Sequence, residues 1–328
     1  MKKFLRYIVL FSLPLVVLCL GVEYMLRQIP NPYTFKRYLL EEKGAGIKNM
    51  IIGSSVVNQG VDPSLLPDST YNLAFSGQFI RYNKAQLEKF IDSLPNLKCI
   101  IWGISTQALW ADESESGVLF QDRIASECIA YYTIYMDISF DDNWLHHSEF
   151  LSSPATIWRE KWTKYYLQHK KTMYCDSFGL DHKYDSSEKY EEYKGDMDKW
   201  LKDIPVGAKK HTPLHNGKAE RIYRQNVRCM DDVARLCHDR GIRLCLVVPP
   251  VYQEYCKLIS DWQKQQIYST LGEVAGKWDN VSWYNYFEDL RFVKDDFYNA
   301  NHLTSDGGAG KFSRILMKDL FGNADAGL

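Results

Sequence analysis

The chain has 328 residues, 45% of them hydrophobic and 25% charged, and its 40 Lys and Arg nearly cancel its 41 Asp and Glu, leaving a formal net charge of −1. This composition is that of a globular protein and excludes a disordered or low-complexity chain. Without a basic excess to offset phosphate charge, nucleic acid is not an expected partner.

Lys2, Lys3 and Arg6 lead into Tyr7 to Val22, sixteen residues without a charge, closed by Glu23 and Arg27. As a helix this run rises about 24 Å, somewhat under the roughly 30 Å hydrocarbon core of a bilayer. Arg6 can snorkel, and Tyr7 and Tyr24 can sit at the interfaces, so a span is feasible. Residues 1–28 read as an uncleaved membrane anchor. A cleaved signal peptide is the alternative, with Cys19-Leu20-Gly21 as a small-x-small site, although the flank after it is bulky. The early cations put the amino end in the cytoplasm and the rest of the chain outside. The polar, Pro-containing stretch 29–46 reads as a linker.

Met50-Ile51-Ile52 reads as a short buried strand ending at Gly53-Ser54-Ser55, and Tyr71 to Phe75 as a second ending at Ser76-Gly77. Leu87, Phe90, Ile91 and Leu94 follow helical spacing, and Cys99 to Trp102 give a third strand ending at Gly103. Between about 104 and 216 the pattern breaks into a mainly helical insertion rich in Trp and Tyr. Its rings (Trp110, Trp144, Trp158, Trp162, Trp200) read as packing against the sheet rather than as a sugar groove. Regular structure resumes with a helix whose apolar face is Tyr223, Val227, Met230, Ala234 and Cys237, terminated by Gly241. Ile242 to Val248 form a buried strand ending at Pro249-Pro250, a helix covers Trp262 to Ala275, and Val281 to Tyr284 form a short strand. A loop carries Asn299 to His302. Thr304, Ser305 or Asp306 caps a last helix with Ala309, Phe312, Leu316 and Leu320 on its face, and 322–328 form a tail.

Strands alternating with helices imply a parallel sheet, and in such sheets the carboxyl ends of the strands open onto one crevice. Ser54-Ser55, Ser76-Gly77, Gly103 with Ser105, Pro249-Pro250 and the Asn299–His302 loop all follow strands, so winding brings a serine and a histidine together. A serine hydroxyl needs a base, histidine suits that task near neutrality, and the resulting oxyanion needs fixed N–H donors.

No metal or cofactor is expected: His146 and His147 are adjacent and would face different ways, HExxH is absent, and His211 and His215 read as solvated loop residues. Eight cysteines, seven of them beyond the first segment, include no CxxC, and an odd number cannot all pair. Gly307 to Ser313 mimics a phosphate loop but has Phe312 where Ser or Thr must reach magnesium. Gly-x-Ser-x-Gly is absent, which argues against the α/β-hydrolase elbow.

Ile51-Ile52-Gly53-Ser54-Ser55, followed by Gly60-Val61-Asp62-Pro63, resembles the first block of the SGNH/GDSL hydrolase superfamily. Asn72-Leu73-Ala74-Phe75-Ser76-Gly77 is similar to its glycine block, and Asn299-Ala300-Asn301-His302-Leu303 to its last block. Pro249-Pro250 after a strand, together with the anchor, is similar to a membrane-anchored extracytoplasmic branch associated with acylating envelope polysaccharides and teichoic acids. The resemblance covers roughly 47–105 and 221–321. It implies a flavodoxin-like three-layer α/β domain over 47–321, with the insertion at about 104–216, on one transmembrane helix in the inner membrane and facing the periplasm.

By the same resemblance Ser55 matches the nucleophile and His302 the base. Ser54 stands where the family often has Asp, and Gly77 with the Ser55 backbone matches the oxyanion donors. Two blocks depart. Gly103-Ile104-Ser105-Thr106 stands where Gly-x-Asn-Asp is usual, so Ser105 replaces the side-chain donor at best, and Asn299 stands where the last block has Asp. An Asn carbonyl can hold the His302 ring but cannot offset an imidazolium charge, which leaves a slow dyad, rescue by Asp295, Asp296 or Asp306, or binding without chemistry. The implied function is a serine esterase or O-acyltransferase acting on short acyl esters of an envelope polysaccharide or other acylated glycan. The alternative is a silent SGNH-like module that binds glycan or a membrane-bound acyltransferase partner.

Overall fold

The computed structural model describes residues 2–112, 129–193 and 196–322; Cys128, part of the 104–216 stretch and the tail beyond Gly322 lie outside the described residues. The described chain forms two compact units, 2–37 with 129–173 and 38–112 with 174–322. The 104–216 stretch is therefore divided between them.

In the first unit one helix runs without a break from Lys2 to Arg27, 26 residues. At 1.5 Å per residue it is about 39 Å long, enough to cross a bilayer core, although a signal sequence meets the same criteria of length and composition. Glu23, near its carboxyl end, accepts hydrogen bonds from Ser148 Oγ (2.8 Å), the Glu149 N–H (3.1 Å) and the Phe150 N–H (2.9 Å). These N–H groups open the short helix Glu149–Ser152 and have no intrahelical acceptor, so a carboxylate from elsewhere stands in as their cap.

The stretch read as a linker contains a helix, Pro32–Glu42. Asn31 Oδ1 accepts from the Thr34 N–H at 3.0 Å, and Pro32 occupies the first turn, where a missing N–H costs nothing. Its polar composition reflects an exposed face rather than an absence of structure.

The second unit is built on five parallel strands: β1 Asn49–Gly53, β2 Thr70–Asn72, β3 Cys99–Gly103, β4 Arg243–Val248 and β5 Val281–Asn285, in the order β2-β1-β3-β4-β5. Every residue of β1 and β3 is buried. That explains why these strands read as unbroken apolar runs: a parallel strand covered on both faces has no side to give to water. The order reverses about β1, so the crevice at the carboxyl ends of β1 and β3 is where a ligand site is expected. A second, two-stranded antiparallel ladder, β6 Phe297–Asn299 with β7 His302–Leu303, replaces the loop expected there.

At that crevice two glycines face each other. Gly53 pairs with Gly103, adopts φ +135°, and a Cβ on it would lie 2.6 Å from the Gly103 carbonyl oxygen. A Cβ on Gly103 would lie 2.3 Å from Val57 Cγ1. The absence of side chains lets the helix after Ser55 pack directly onto the strand ends. Gly103→Ala is therefore expected to destabilise the fold by about 1–3 kcal/mol through overpacking. In urea unfolding, adding Val57→Ala to that variant should recover part of the loss rather than add to it.

Candidate active site

Gly53 turns the chain out of β1, Ser54 is extended (φ −96°, ψ −165°), and Ser55 opens the short helix Ser55–Asn58. This puts the Ser55 hydroxyl at the crevice. From 247 residues further along, His302 arrives on β7, and Ser55 Oγ lies 2.7 Å from His302 Nε2. On the other side of the ring Asn299 Oδ1 lies 2.9 Å from His302 Nδ1. The three residues expected to form the catalytic group are thus in hydrogen-bonded sequence.

The orientation of the Asn299 amide follows from its other partners. Its Oδ1 also accepts the backbone N–H groups of Asn301 (3.2 Å) and His302 (3.1 Å), which only donate. The atom facing Nδ1 must then be the carbonyl oxygen, and Nδ1 must carry the proton. That leaves the Nε2 lone pair toward Ser55, the tautomer a general base needs. None of the three aspartates named as substitutes stands behind the ring. Asp296 Oδ2 accepts from Lys311 Nζ (2.7 Å) and the Val293 N–H (2.8 Å), Asp306 caps Ser186, and Asp295 is exposed. Rescue by any of these three is therefore not what the structure offers.

The glycine block reaches the same place because pairing continues past β2: the Leu73 N–H donates to the Ile51 carbonyl and the Phe75 N–H to that of Gly53. Gly77 follows in a turn with φ +73°. Neither its N–H nor that of Ser55 is engaged by another group among the described residues, as an oxyanion donor requires. Ser54 behaves differently. Its hydroxyl is buried without a hydrogen bond among the described residues and makes no cap contact, so it adds no visible donor. Ser105 is buried beside Val56, Pro249 and Asn301 along a crevice of about 10 Å³, room for about one water, and Asn301 is the residue with a side-chain amide on its wall.

Several supporting residues were not anticipated as such. Asn72, fully buried, donates from Nδ2 to the carbonyls of Val57 (2.7 Å) and Val61 (3.0 Å), clamping the short helix that carries Ser55. Ser76 Oγ accepts from Asn58 Nδ2 (3.3 Å) and Gln59 Nε2 (3.2 Å), and Asn58 Nδ2 also reaches Asp181 Oδ2 at 3.2 Å. Tyr184 stacks on Tyr298 with ring centroids 4.4 Å apart and sets its edge toward His302 at 5.7 Å. Asp181 and Tyr184 come from the stretch read as an insertion, so its second half builds the site. Their only sequence signal was a charged, Tyr-containing run, which does not separate a scaffold from a solvated face.

The rings divide similarly. Trp200 is buried and donates its Nε1–H to the Tyr298 carbonyl at 2.7 Å, and Trp110 is buried against Tyr223, both as packing residues. A cleft of about 270 Å³ is lined by Asn299 together with Tyr193, Trp200, Asp203, Lys210 and Asn301.

His211 is not the solvated loop residue expected. It is half-buried at the end of the helix Met197–Lys210, with Nδ1 2.7 Å from the hydroxyl of the buried Tyr255, whereas His215 is exposed. Burial lowers the His211 pKa to about 4, and burial with a smaller contribution from His211 lowers that of His302 to about 3. Both imidazoles are neutral at pH 7, the form in which His302 can take a proton. Among the described residues no cluster of His, Cys, Asp and Glu could hold a metal ion, and Cys99 and Cys245 are buried thiols 3.9 Å apart.

No family model matches the sequence, and no curated protein matches it. One solved structure, from Streptococcus pneumonia and provisionally described as a "platelet activating factor", covers 95% of this chain and 99% of its own at 12% identity and a TM-score of 0.42. At that distance the likeness carries no functional weight.

The lowered imidazole pKa sets the sign of a pH effect. Unfolding exposes histidines that protonate below about 6.5, while the folded ring of His302 resists protonation down to about 3. Its contribution to stability is complete above pH 6.5 and is lost as the pH falls toward 3. Denaturant titrations across that range should show His302→Gln losing stability less steeply than the parent chain.

Proposed function

We propose that the chain is a serine esterase or O-acyltransferase of SGNH type, in which Ser55 forms a covalent acyl intermediate. The observation that carries this reading is the hydrogen-bonded sequence Ser55 Oγ, His302 Nε2–Nδ1, Asn299 Oδ1 at 2.7 and 2.9 Å. His302 Nε2 takes the Ser55 proton as Oγ attacks an ester carbonyl, and the N–H groups of Ser55 and Gly77 receive the oxyanion. The imidazolium returns the proton to the departing alcohol. Water or a sugar hydroxyl then attacks the acyl-serine with His302 again as base, restoring the free enzyme.

Asn299 accounts for both the competence and the slowness of such a site. Replacing Asp by Asn in a serine triad costs about 10⁴ in turnover where the change also inverts the tautomer. Here the tautomer is retained, and what is missing is the negative charge that would stabilise the imidazolium.

The strand order β2-β1-β3-β4-β5 supports a flavodoxin-like three-layer reading of the domain. The apolar first helix supports a single-pass protein; the bacterial inner membrane and a periplasmic domain are proposed from the motif resemblance and the early cations. The cleft beside Asn299, with Tyr193, Asp203 and Lys210 on its walls, has the mixed ring and polar lining that suits a sugar. An acylated envelope glycan is accordingly the proposed substrate, and a membrane-bound acyltransferase the proposed donor or acceptor partner. The silent module that binds without turnover is the competing reading, favoured by the absent charge behind His302 and the missing amide donor at Ser105.

A fluorophosphonate probe separates the two. The enzyme reading expects labelling of the folded chain that is abolished in Ser55→Ala; a folded parent chain that takes no label would leave the binding module. Hydrolysis of p-nitrophenyl acetate gives an independent measure. Asn299→Asp should raise its turnover on the order of 10- to 100-fold, since only part of the full triad effect is being restored. An unchanged or lower rate would mean that charge behind the imidazole does not limit this site.

A further inference from the structure

We infer that residues 129–173 form a collar seated in the membrane–water interface around the emerging end of the first helix, with lipid as its partner. The inference rests on the reading of that helix as a membrane span. The starting point is where this segment is tied. Glu23 holds Ser148 Oγ and the N–H groups of Glu149 and Phe150, Arg27 Nη2 donates to the His147 carbonyl at 2.6 Å, and the Tyr166 hydroxyl donates to the Met25 carbonyl at 2.8 Å. All of these attachments fall between Glu23 and Arg27, the first turn after the uncharged run ends at Val22. A helix spanning the bilayer has that turn at headgroup level, and the interfacial layer is roughly 5–8 Å deep on each side. The segment is tied again beyond that turn, by Thr172 Oγ1 to the Pro30 carbonyl (2.9 Å) and by Arg37 Nη1 to the Tyr135 carbonyl (3.3 Å), so it is the part around 147–150 and 166 that is held at the level of the lipid headgroups.

Its surface has the chemistry that this layer selects. Trp144 is 69% exposed, Leu151 47% and Leu167 62%, side chains that would cost free energy facing water. Trp158, Trp162 and Tyr165 are partly exposed beside them, and Trp and Tyr are the residues enriched where one end of a side chain is apolar and the other wet. The segment carries five Lys and Arg against five Asp and Glu, so attraction to anionic lipid is not needed and the apolar rings supply the contact. Internally it is held rigid: the buried Glu149 carboxylate accepts from Lys161 and from the hydroxyls of Tyr131 and Tyr135, joining the helices Glu149–Ser152 and Ala155–Trp162. The Trp-rich half of the presumed insertion is thereby assigned to lipid rather than to sugar.

The test uses the full chain reconstituted in phosphatidylcholine vesicles with bromine on the acyl chains near the headgroup. Brominated lipid should quench part of the tryptophan emission. In the Trp144→Phe, Trp158→Phe, Trp162→Phe triple variant, which keeps apolar rings in place, that quenched fraction should fall by at least half. Intact mass of the membrane-bound protein is read alongside. A chain that retains the first helix, with quenching unchanged in the triple variant, overturns the collar and leaves the span standing. A mature chain that lacks the first helix overturns both.

Discussion

Three donors converge on the one carbonyl oxygen of Asn299: the imidazole Nδ1–H and two backbone N–H groups of the turn that carries it. This convergence is the constraint on which the site depends. Because the backbone donors cannot be reversed, the amide cannot flip, and because it cannot flip, the ring must present its lone pair to Ser55. The β6–β7 ladder supplies the turn, and the sheet supplies the serine. A carboxylate in this position would do the same positioning work and add a charge. The asparagine keeps that geometry but, on the proposed reading, leaves the imidazolium without a compensating charge.

The sheet is what makes a contact across 247 residues inexpensive. Five parallel strands end on one crevice, and the reversal of strand order about β1 opens that crevice beside Ser55. The facing pair Gly53 and Gly103 removes the side chains that would otherwise hold the short helix Ser55–Asn58 away from the strand ends. Asn72 then ties the same helix to the glycine block through two backbone carbonyls. Small residues and one buried amide, together with the buried Val57, set the position of the Ser55 hydroxyl.

The aromatic content has a different origin in each unit. In the second unit Trp110 and Trp200 are sealed into packing, and Trp200 spends its N–H on a backbone carbonyl near the triad. In the first unit Tyr33, Tyr132 and Tyr135 are buried, but Trp144 and in part Trp158, Trp162 and Tyr165 remain on the surface. One composition thus serves two solvents, the protein interior and, by our inference, the bilayer interface. The boundary between them falls inside a stretch that looks uniform when read residue by residue.

The strands and their apolar runs could be read from the sequence because each follows a local rule, whereas the roles of Ser55, Gly77 and His302 came from the resemblance of short motifs, with only their shared edge given by the winding of the sheet. A strand covered on both faces must be continuously apolar, a turn out of it must contain glycine, and the carboxyl ends of a parallel sheet must share an edge. The pairing of Asn299 with His302 was legible from the same resemblance, whose last block sets the two three residues apart. Tertiary structure alone decided the rest. It showed that Asp296 and Asp306 are committed to Lys311 and Ser186 and so cannot back the imidazole. It placed Asp181 and Tyr184 at the site, drew His211 in from solvent toward Tyr255, and tied Glu23 to Ser148 and its neighbours. These depend on which surfaces meet after folding, a matter of long-range packing that no periodicity or spacing encodes.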